Sequence, residues 1–291
     1  MKIHLLHPAT FKLDGGAMFG IIPKPLWEKK IAPDEHNRIL MSLRVPFIET
    51  ENRKILIDTG IGDYHGSKFD EQFDISDSNS PLTTVLAELA VTPADITDII
   101  LTHLHFDHVG GLGTFKDQRP QLLFPNATVH VHQKHFEYSQ NPTPRDKGSF
   151  QSHYFNDWLE IYRSRGKFNL LEELKGEIVP GVSYMTSFGH TPYMIHPIFD
   201  QYIYMADLTP MSHHVHIPWV MGYDIEPGVT VQYKEKFYQE IIERDLTMIF
   251  EHDVDIFGGK LAQNDKGHFY LNHTLTKKDF GVQKSSRAVK F

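Results

Sequence analysis

The sequence predicts an α/β fold built as two layered halves, with sheets inside and helices outside. Two observations carry this. Short apolar runs of extended character are followed by stretches with helical spacing, and the scheme occurs twice along the chain. Histidine and aspartate side chains also recur where an apolar run meets a loop, in the first half and again in the second, as they would at the ends of buried strands.

Bulk composition agrees with such a fold. The chain has 291 residues, 40% hydrophobic and 23% charged, enough for a sizeable core. No Ser/Gly-rich linker, charge block or low-complexity stretch divides it, so a single domain over 1–291 is expected. A formal net charge of -8 argues against general attraction to nucleic-acid phosphate. There are no cysteines, which excludes disulfides and leaves His, Asp and Glu as metal ligands. The apolar run within residues 1–8 is too short for a signal peptide, and no stretch has membrane length. A cytoplasmic location and no membrane partner are the default expectations.

The elements follow in order. Residues 43–48 and 54–57 flank Glu51-Asn52-Arg53 and read as a hairpin-like pair of strands. Ser80-Pro81 reads as a helix start, with Ser80 as cap and Pro81 at the first helical position, and Val85, Leu86 and Leu89 give that helix an apolar face. Strands are expected at 99–101 and 128–131. A helical insertion runs from about 133 to 175, broken early by Pro142 and Pro144, with Phe150, Tyr154, Trp158 and Tyr162 spaced four apart. That stripe reads first as packing against the core, and second as a pocket roof or subunit contact. In the second half, strands are expected at 182–187, 202–205 and 247–250. A helix over about 231–244 carries Phe237, Tyr238, Ile241 and Ile242 on its core side.

The run His103-Leu104-His105-Phe106-Asp107-His108 holds four metal-binding side chains in six residues, between Ile99-Ile100-Leu101 and Val109-Gly110-Gly111. Three imidazoles and a carboxylate pressed together have little use on a solvated surface and an ordinary use around zinc or its neighbours. One such cluster supplies at most four ligands, so a two-ion site needs others. His190, Asp207 and His252 fit, each at the end of an apolar run. Alone, a residue in that position is usually a cap or an exposed side chain; the shared placement singles these three out.

The chain resembles the metallo-β-lactamase-fold hydrolases. Thr102-His103-Leu104-His105-Phe106-Asp107-His108 is similar to their HxHxDH signature, and Ile57-Asp58-Thr59-Gly60, Gly189-His190-Thr191-Pro192, Ala206-Asp207 and Glu251-His252-Asp253 match further motifs in order. Asp14 to Gly20 and the stretches Ala206-Asp207-Leu208 and 218–224 resemble the narrower YtnP-like quorum-quenching lactonases, relatives of the N-acyl homoserine lactonases and methyl parathion hydrolases. The resemblance implies a four-layer αββα sandwich and two divalent ions, zinc being the expected metal. It implies one ion on His103, His105 and His190, a second on Asp107, His108 and His252, Asp207 bridging both, and Asp58 supporting a ligand.

Two such ions about 3.5–4 Å apart share a water and lower its pKa to roughly 7, giving a bridging hydroxide that attacks a carbonyl or phosphoryl centre. Asp107 would pass a proton to the departing alkoxide. The implied activity is lactone or ester hydrolysis, with an N-acyl homoserine lactone as the leading small-molecule substrate. An organophosphate triesterase is the alternative, and a β-lactamase a weaker one. A nuclease is disfavoured by the acidic balance. A di-iron redox enzyme would normally place an acid where His105 stands, and a catalytically dead binding protein is disfavoured because every ligand position is filled. A homodimer is compatible with the sequence.

The chain departs from the lactonase pattern at Pro210, where many relatives carry a carbonyl-binding tyrosine, and at Tyr193-Met194, where Gly-His is common. Tyr223 or Tyr193 is the expected substitute. Met18 and Phe19, after a flexible Gly15-Gly16 pair, would cover an apolar part of the substrate, or else pack on the core. His213, His214 and His216 are read as pocket-lining or surface histidines and not as a third metal site.

Overall fold

In this computed structural model, residues 1–76, 81–280 and 288–290 are described. The chain divides into two compact units: one from Met1–Thr10 and Leu43–Glu173 with the C-terminal end, the other from Phe11–Ser42 and Leu174–Asp279.

The first unit is organised by a seven-stranded sheet. Its strands are β1 (Lys2–Asp14), β2 (Arg38–Glu49), β3 (Lys54–Ile57), β4 (Asp98–Ile100), β7 (Thr128–His132) and β8 (Phe168–Leu171), with Ala288–Lys290 beside β1. The hairpin β5–β6 (Gly113–Lys116 and Arg119–Leu122) stands apart from this sheet. β2 and β3 pair antiparallel across the expected turn, Phe47 opposite Leu56. From β3 onward, β3, β4, β7 and β8 are all parallel neighbours. Their C-terminal ends therefore leave the sheet on one edge, where ligands gather in open parallel sheets.

The helix expected after Ser80 is present as Pro81–Glu88, with Val85 and Leu86 buried; Ser80 itself lies outside the described residues. The insertion holds helices Gln133–Gln140 and Ser152–Ser164 and then β8, so its last part is a sheet strand rather than helix. Phe155, Trp158, Leu159 and Tyr162 of the second helix join the core with Phe47, Leu56 and Val129. The aromatic stripe packs on the core. Trp158 and Tyr162 satisfy their polar atoms on the carbonyls of Thr114 and Phe124.

The second unit carries its own seven-stranded sheet, in the order β15-β14-β13-β12-β11-β10-β9. These are β9 (Lys175–Val179), β10 (Val182–Ser187), β11 (Met194–Phe199), β12 (Tyr202–Tyr204), β13 (Thr247–Ile249), β14 (Ile256–Gln263) and β15 (Phe269–Thr276). All neighbours with a recorded register pair antiparallel except β12 and β13, which are parallel. β10 is antiparallel to β11 and β11 to β12, so β10, β12 and β13 share one direction. β11 was not expected from the sequence: Pro197 and His196 interrupt its apolar pattern, yet all six of its residues are buried.

The crossover between β12 and β13 contains the helix Pro227–Glu243, which starts four residues before the expected position because Pro227 serves at its first turn. Thr230, Lys234, Phe237, Tyr238 and Ile241 form its buried side. Among the described residues no helix is long and apolar enough to cross a membrane.

Candidate metal centre

In the first unit, β3 and β4 deliver the expected residues at one edge. β3 ends at Ile57 and is followed by Asp58; β4 ends at Ile100 and is followed by Leu101, Thr102 and His103. Asp58 has no exposed surface and accepts from Thr102 N (2.7 Å), Thr102 Oγ1 (2.7 Å) and His108 Nδ1 (3.0 Å). It thereby orients the His108 ring through Nδ1, as carboxylates do for metal-ligating histidines. Because the Thr102 hydroxyl donates to Asp58, it accepts from His103 Nδ1 at 3.0 Å, and the lone pair of a neutral His103 lies on Nε2.

His103 Nε2 and His105 Nδ1 are 3.1 Å apart. Two nitrogens bound at about 2.0–2.1 Å in a tetrahedral zinc site would sit about 3.3 Å from each other, so this spacing suits a shared ion. Asp107 and His108 lie in the first turn of the short helix Phe106–Val109, both buried, with Asp107 Oδ2 3.8 Å from His108 Nε2. The glycines that follow are needed for close approach. A Cβ on Gly110 would collide with the Ile61 carbonyl, and one on Gly111 with that of Thr59.

In the second unit, the three co-directional strands release His190 after β10, Asp207 after β12 and His252 after β13. His190 Nδ1 donates to Asp224 Oδ1 at 2.9 Å, and His252 Nδ1 donates to the Ser42 carbonyl at 2.9 Å. With their Nδ1 protons so used, both rings turn Nε2 toward one carboxylate: His190 is 3.1 Å from Asp207 Oδ2 and His252 is 3.1 Å from Asp207 Oδ1. A neutral imidazole lone pair facing a carboxylate oxygen at that distance is repulsive unless a proton or a metal cation stands between them. Burial opposes a charged His190, but the Asp207 and Asp224 carboxylates outweigh it and raise its pKa to about 9. The arrangement therefore demands positive charge. A divalent ion supplies it more fully than a proton and displaces the proton on binding. His190 and Asp207 fall within one group of buried His and Asp side chains able to hold a metal ion, and His252 falls within another.

Gly15–Phe19 is a short helix capped by the Asp14 carboxylate, not a flexible loop, and Gly15 lies close under the Trp27 ring. Met18 and Phe19 are buried. Phe19 is stacked between Trp27 (5.4 Å) and His214 (5.0 Å), which corresponds to the packing alternative. Tyr193 is half-buried in left-handed backbone (φ 59) with its ring on Phe188 at 4.6 Å. Tyr223 is half-buried and immediately precedes Asp224.

The histidines at 213–216 do not act alike. His216 is exposed and His213 half-buried, whereas His214 is a core residue whose Nε2 donates to the Met18 carbonyl at 2.8 Å; this corrects its reading as a surface or pocket-lining group. Asp224, Thr102, His135 and Lys234 were not singled out from the sequence. Asp224 lay within the motif at 218–224, but nothing local marked it as the partner of a histidine 34 positions earlier.

Comparison with known proteins agrees with these features. The model of the Metallo-beta-lactamase superfamily matches residues 47–219. A probable metal-dependent hydrolase from Staphylococcus aureus of known structure is 30% identical, with a TM-score of 0.80 over 94% of this chain and 98% of that one. The dizinc quorum-quenching lactonase AidC, solved with a product, shares the fold at 18% identity and a TM-score of 0.74, over 94% of each chain. An N-acyl homoserine lactonase from Bacillus cereus is 27% identical over 155 residues, which is 50% of this chain and 53% of that protein. The chain thus spans about half the length of the curated relatives it matches.

Proposed function

The chain belongs to the metallo-β-lactamase superfamily, and we propose that it is a metal-dependent hydrolase that opens lactone rings, with N-acyl homoserine lactones as the substrate class and quorum quenching as the role. The observation that carries the reading is the Asp207 carboxylate, each of whose oxygens faces the Nε2 of a different buried histidine at 3.1 Å. A carboxylate offered to two separate imidazoles is the natural bridge of a two-ion site. Several curated relatives, matched over about half of their length, are N-acyl homoserine lactonases, which supports the choice of substrate.

The proposal assigns one ion to His103, His105 and His190 and another to Asp107, His108 and His252, with Asp207 shared and zinc as the metal. When bound, the ions supply Lewis acidity, which activates water near neutral pH and polarises the substrate carbonyl. The remaining work falls to the chain. Asp58, Asp224 and the Ser42 carbonyl hold the protons on the Nδ1 atoms of His108, His190 and His252, so each ring presents Nε2 to the ion. Asp107, buried with 6% exposure, is assigned the transfer of the proton released by the attacking water to the departing alkoxide. Tyr223 and Tyr193 are the candidates for holding the substrate carbonyl in place of the tyrosine that Pro210 replaces. The reading also treats the whole chain as one domain with an insertion at about 133–175.

The test is metal analysis joined to a turnover panel of acyl homoserine lactones of several chain lengths, simple lactones, a paraoxon-like triester and a β-lactam. About two zinc ions per chain with chelator-sensitive opening of the lactones is the expected result. Turnover of the triester alone would establish the phosphotriesterase alternative instead, and turnover of the β-lactam alone would overturn both.

A further inference from the structure

We propose that His135 is a positioning residue for His103 and His105: it grips the backbone between them and so sets the angle at which the two imidazoles meet an ion. The inference rests on the metal-hydrolase reading above for the ion, but not on the identity of the substrate.

β7 and β4 are parallel neighbours with Ile100 opposite His130, so both chains leave the sheet at the same edge. β4 continues into the ligand run, and β7 continues into the helix Gln133–Gln140. In the first turn of that helix, His135 is fully buried and its Nε2 accepts from Leu104 N at 2.8 Å. An imidazole nitrogen that accepts carries no proton, so the ring hydrogen of neutral His135 lies on Nδ1. That use of Nε2, with the ring centroid 6.2 Å from that of His103, separates His135 from the ligands themselves.

The same segment holds the other side of His105. Phe106 N donates to the Ser149 carbonyl at 3.0 Å, and the Phe150 ring lies edge-on to His105 at 4.7 Å and against His135 at 5.8 Å. The connection from His135 to Phe150 is itself tied down, because Tyr138 and Thr143 both donate to the buried Asp146. Leu104 and Phe106, the residues on either side of His105, are thus fixed by one insertion through two hydrogen bonds. Nothing in the sequence of the ligand run shows this dependence.

The experiment compares His135→Leu with His135→Gln in the full chain, reading stepwise zinc affinity by competition with a chromophoric chelator, alongside the melting temperature of the metal-free proteins. Glutamine keeps an acceptor for Leu104 N; leucine fills the space without one. The leucine variant is expected to weaken one of the two binding steps by about 10- to 100-fold, the range for losing an outer-shell partner. The other step should stay unchanged, and the glutamine variant should recover most of the loss. Wild-type affinity at both steps in His135→Leu overturns the proposal, as does equal weakening of both steps or equal failure of the two variants. A wild-type protein that binds no ion at all would overturn the hydrolase reading itself, which distinguishes the two failures.

Discussion

Asp224 accepts the Nδ1 proton of His190 on Oδ1, with nitrogen and oxygen 2.9 Å apart. Its second oxygen accepts from Met221 N at 3.2 Å, so the carboxylate is fixed at both ends. Asn in its place keeps the shape but can present an amide N–H to Nδ1, which would favour the tautomer that puts the ring proton on Nε2. Asp224→Asn is therefore expected to lower zinc affinity and turnover together by about 10- to 100-fold. Isothermal titration of the metal-free variant checks this, and wild-type affinity would remove Asp224 from the positioning role.

Asp58 combines positioning with a folding role. Its carboxylate satisfies Thr102 N and Thr102 Oγ1 as well as His108 Nδ1, all without exposed surface. Asp58→Ala leaves a buried backbone N–H and an imidazole N–H without acceptors. Breaking a buried charged network of this kind costs about 3–5 kcal/mol, so urea unfolding of the metal-free variant should show a loss of that size. A loss below about 1 kcal/mol would mean that water or a neighbour replaces the carboxylate.

The contrast between these two aspartates shows what was legible in the sequence. Asp58 lies within a family motif, and the resemblance alone points to it. The candidate ligands between His103 and His108 are contiguous, and His190, Asp207 and His252 each follow an apolar run that forms β10, β12 or β13. Asp224 and His135 act across parts of the chain that lie far apart in sequence, and no periodicity links them to their partners. β11 was hidden because Pro197 and His196 sit in a fully buried strand whose neighbours, not its own pattern, determine its conformation. Glycine in isolation signals flexibility, which hides the capped helix Gly15–Phe19; here Gly15 lies under Trp27 because it has no Cβ.

Acid and alkali should each destabilise the metal-free protein, through different histidines. Burial pushes His196 and His214 down to about 3. Both stay neutral in the folded state while the unfolded chain takes up their protons near 6.5, so their stabilising effect is complete above about 6.5 and is lost as pH falls toward about 3. Each contributes at most about 1.4 kcal/mol per pH unit in that window. His190 has the opposite sign. Its pKa is raised to about 9, so its contribution is complete below about 6.5 and disappears as pH rises through about 9. Unfolding free energy measured from pH 4 to 10 should therefore pass through a maximum near neutrality. His214→Gln should flatten the acid limb while leaving the alkaline one in place. An acid limb unchanged in that variant would mean that His214 does not titrate as assigned.

Lys234 is the most unusual polar group of the second unit, and its removal should couple stability to the metal centre. It has no exposed surface, and burial pushes its pKa down to about 7 against the opposing pull of the Asp224 carboxylate. Its Nζ donates to the carbonyls of His216 (2.7 Å), Ile217 (3.1 Å) and Trp219 (2.9 Å), three acceptors for the three protons of an ammonium. Those carbonyls belong to the loop that runs on through Met221 to Asp224, the residue holding His190. Lys234→Met keeps much of the side-chain volume and leaves the three carbonyls without their donor. Since His216 and Pro218 are exposed, part of the loss is recovered by water, and a net cost of about 2–4 kcal/mol follows from about 1–3 kcal/mol per stranded buried group. Arginine should not rescue it, because a planar guanidinium cannot aim its protons at three carbonyls converging on one point. Zinc affinity should fall with the loosened loop, by less than in Asp224→Asn because the carboxylate itself remains. Chemical unfolding with and without zinc reads both effects, and a Lys234→Met protein with wild-type stability and affinity would show that the loop keeps its path without the ammonium.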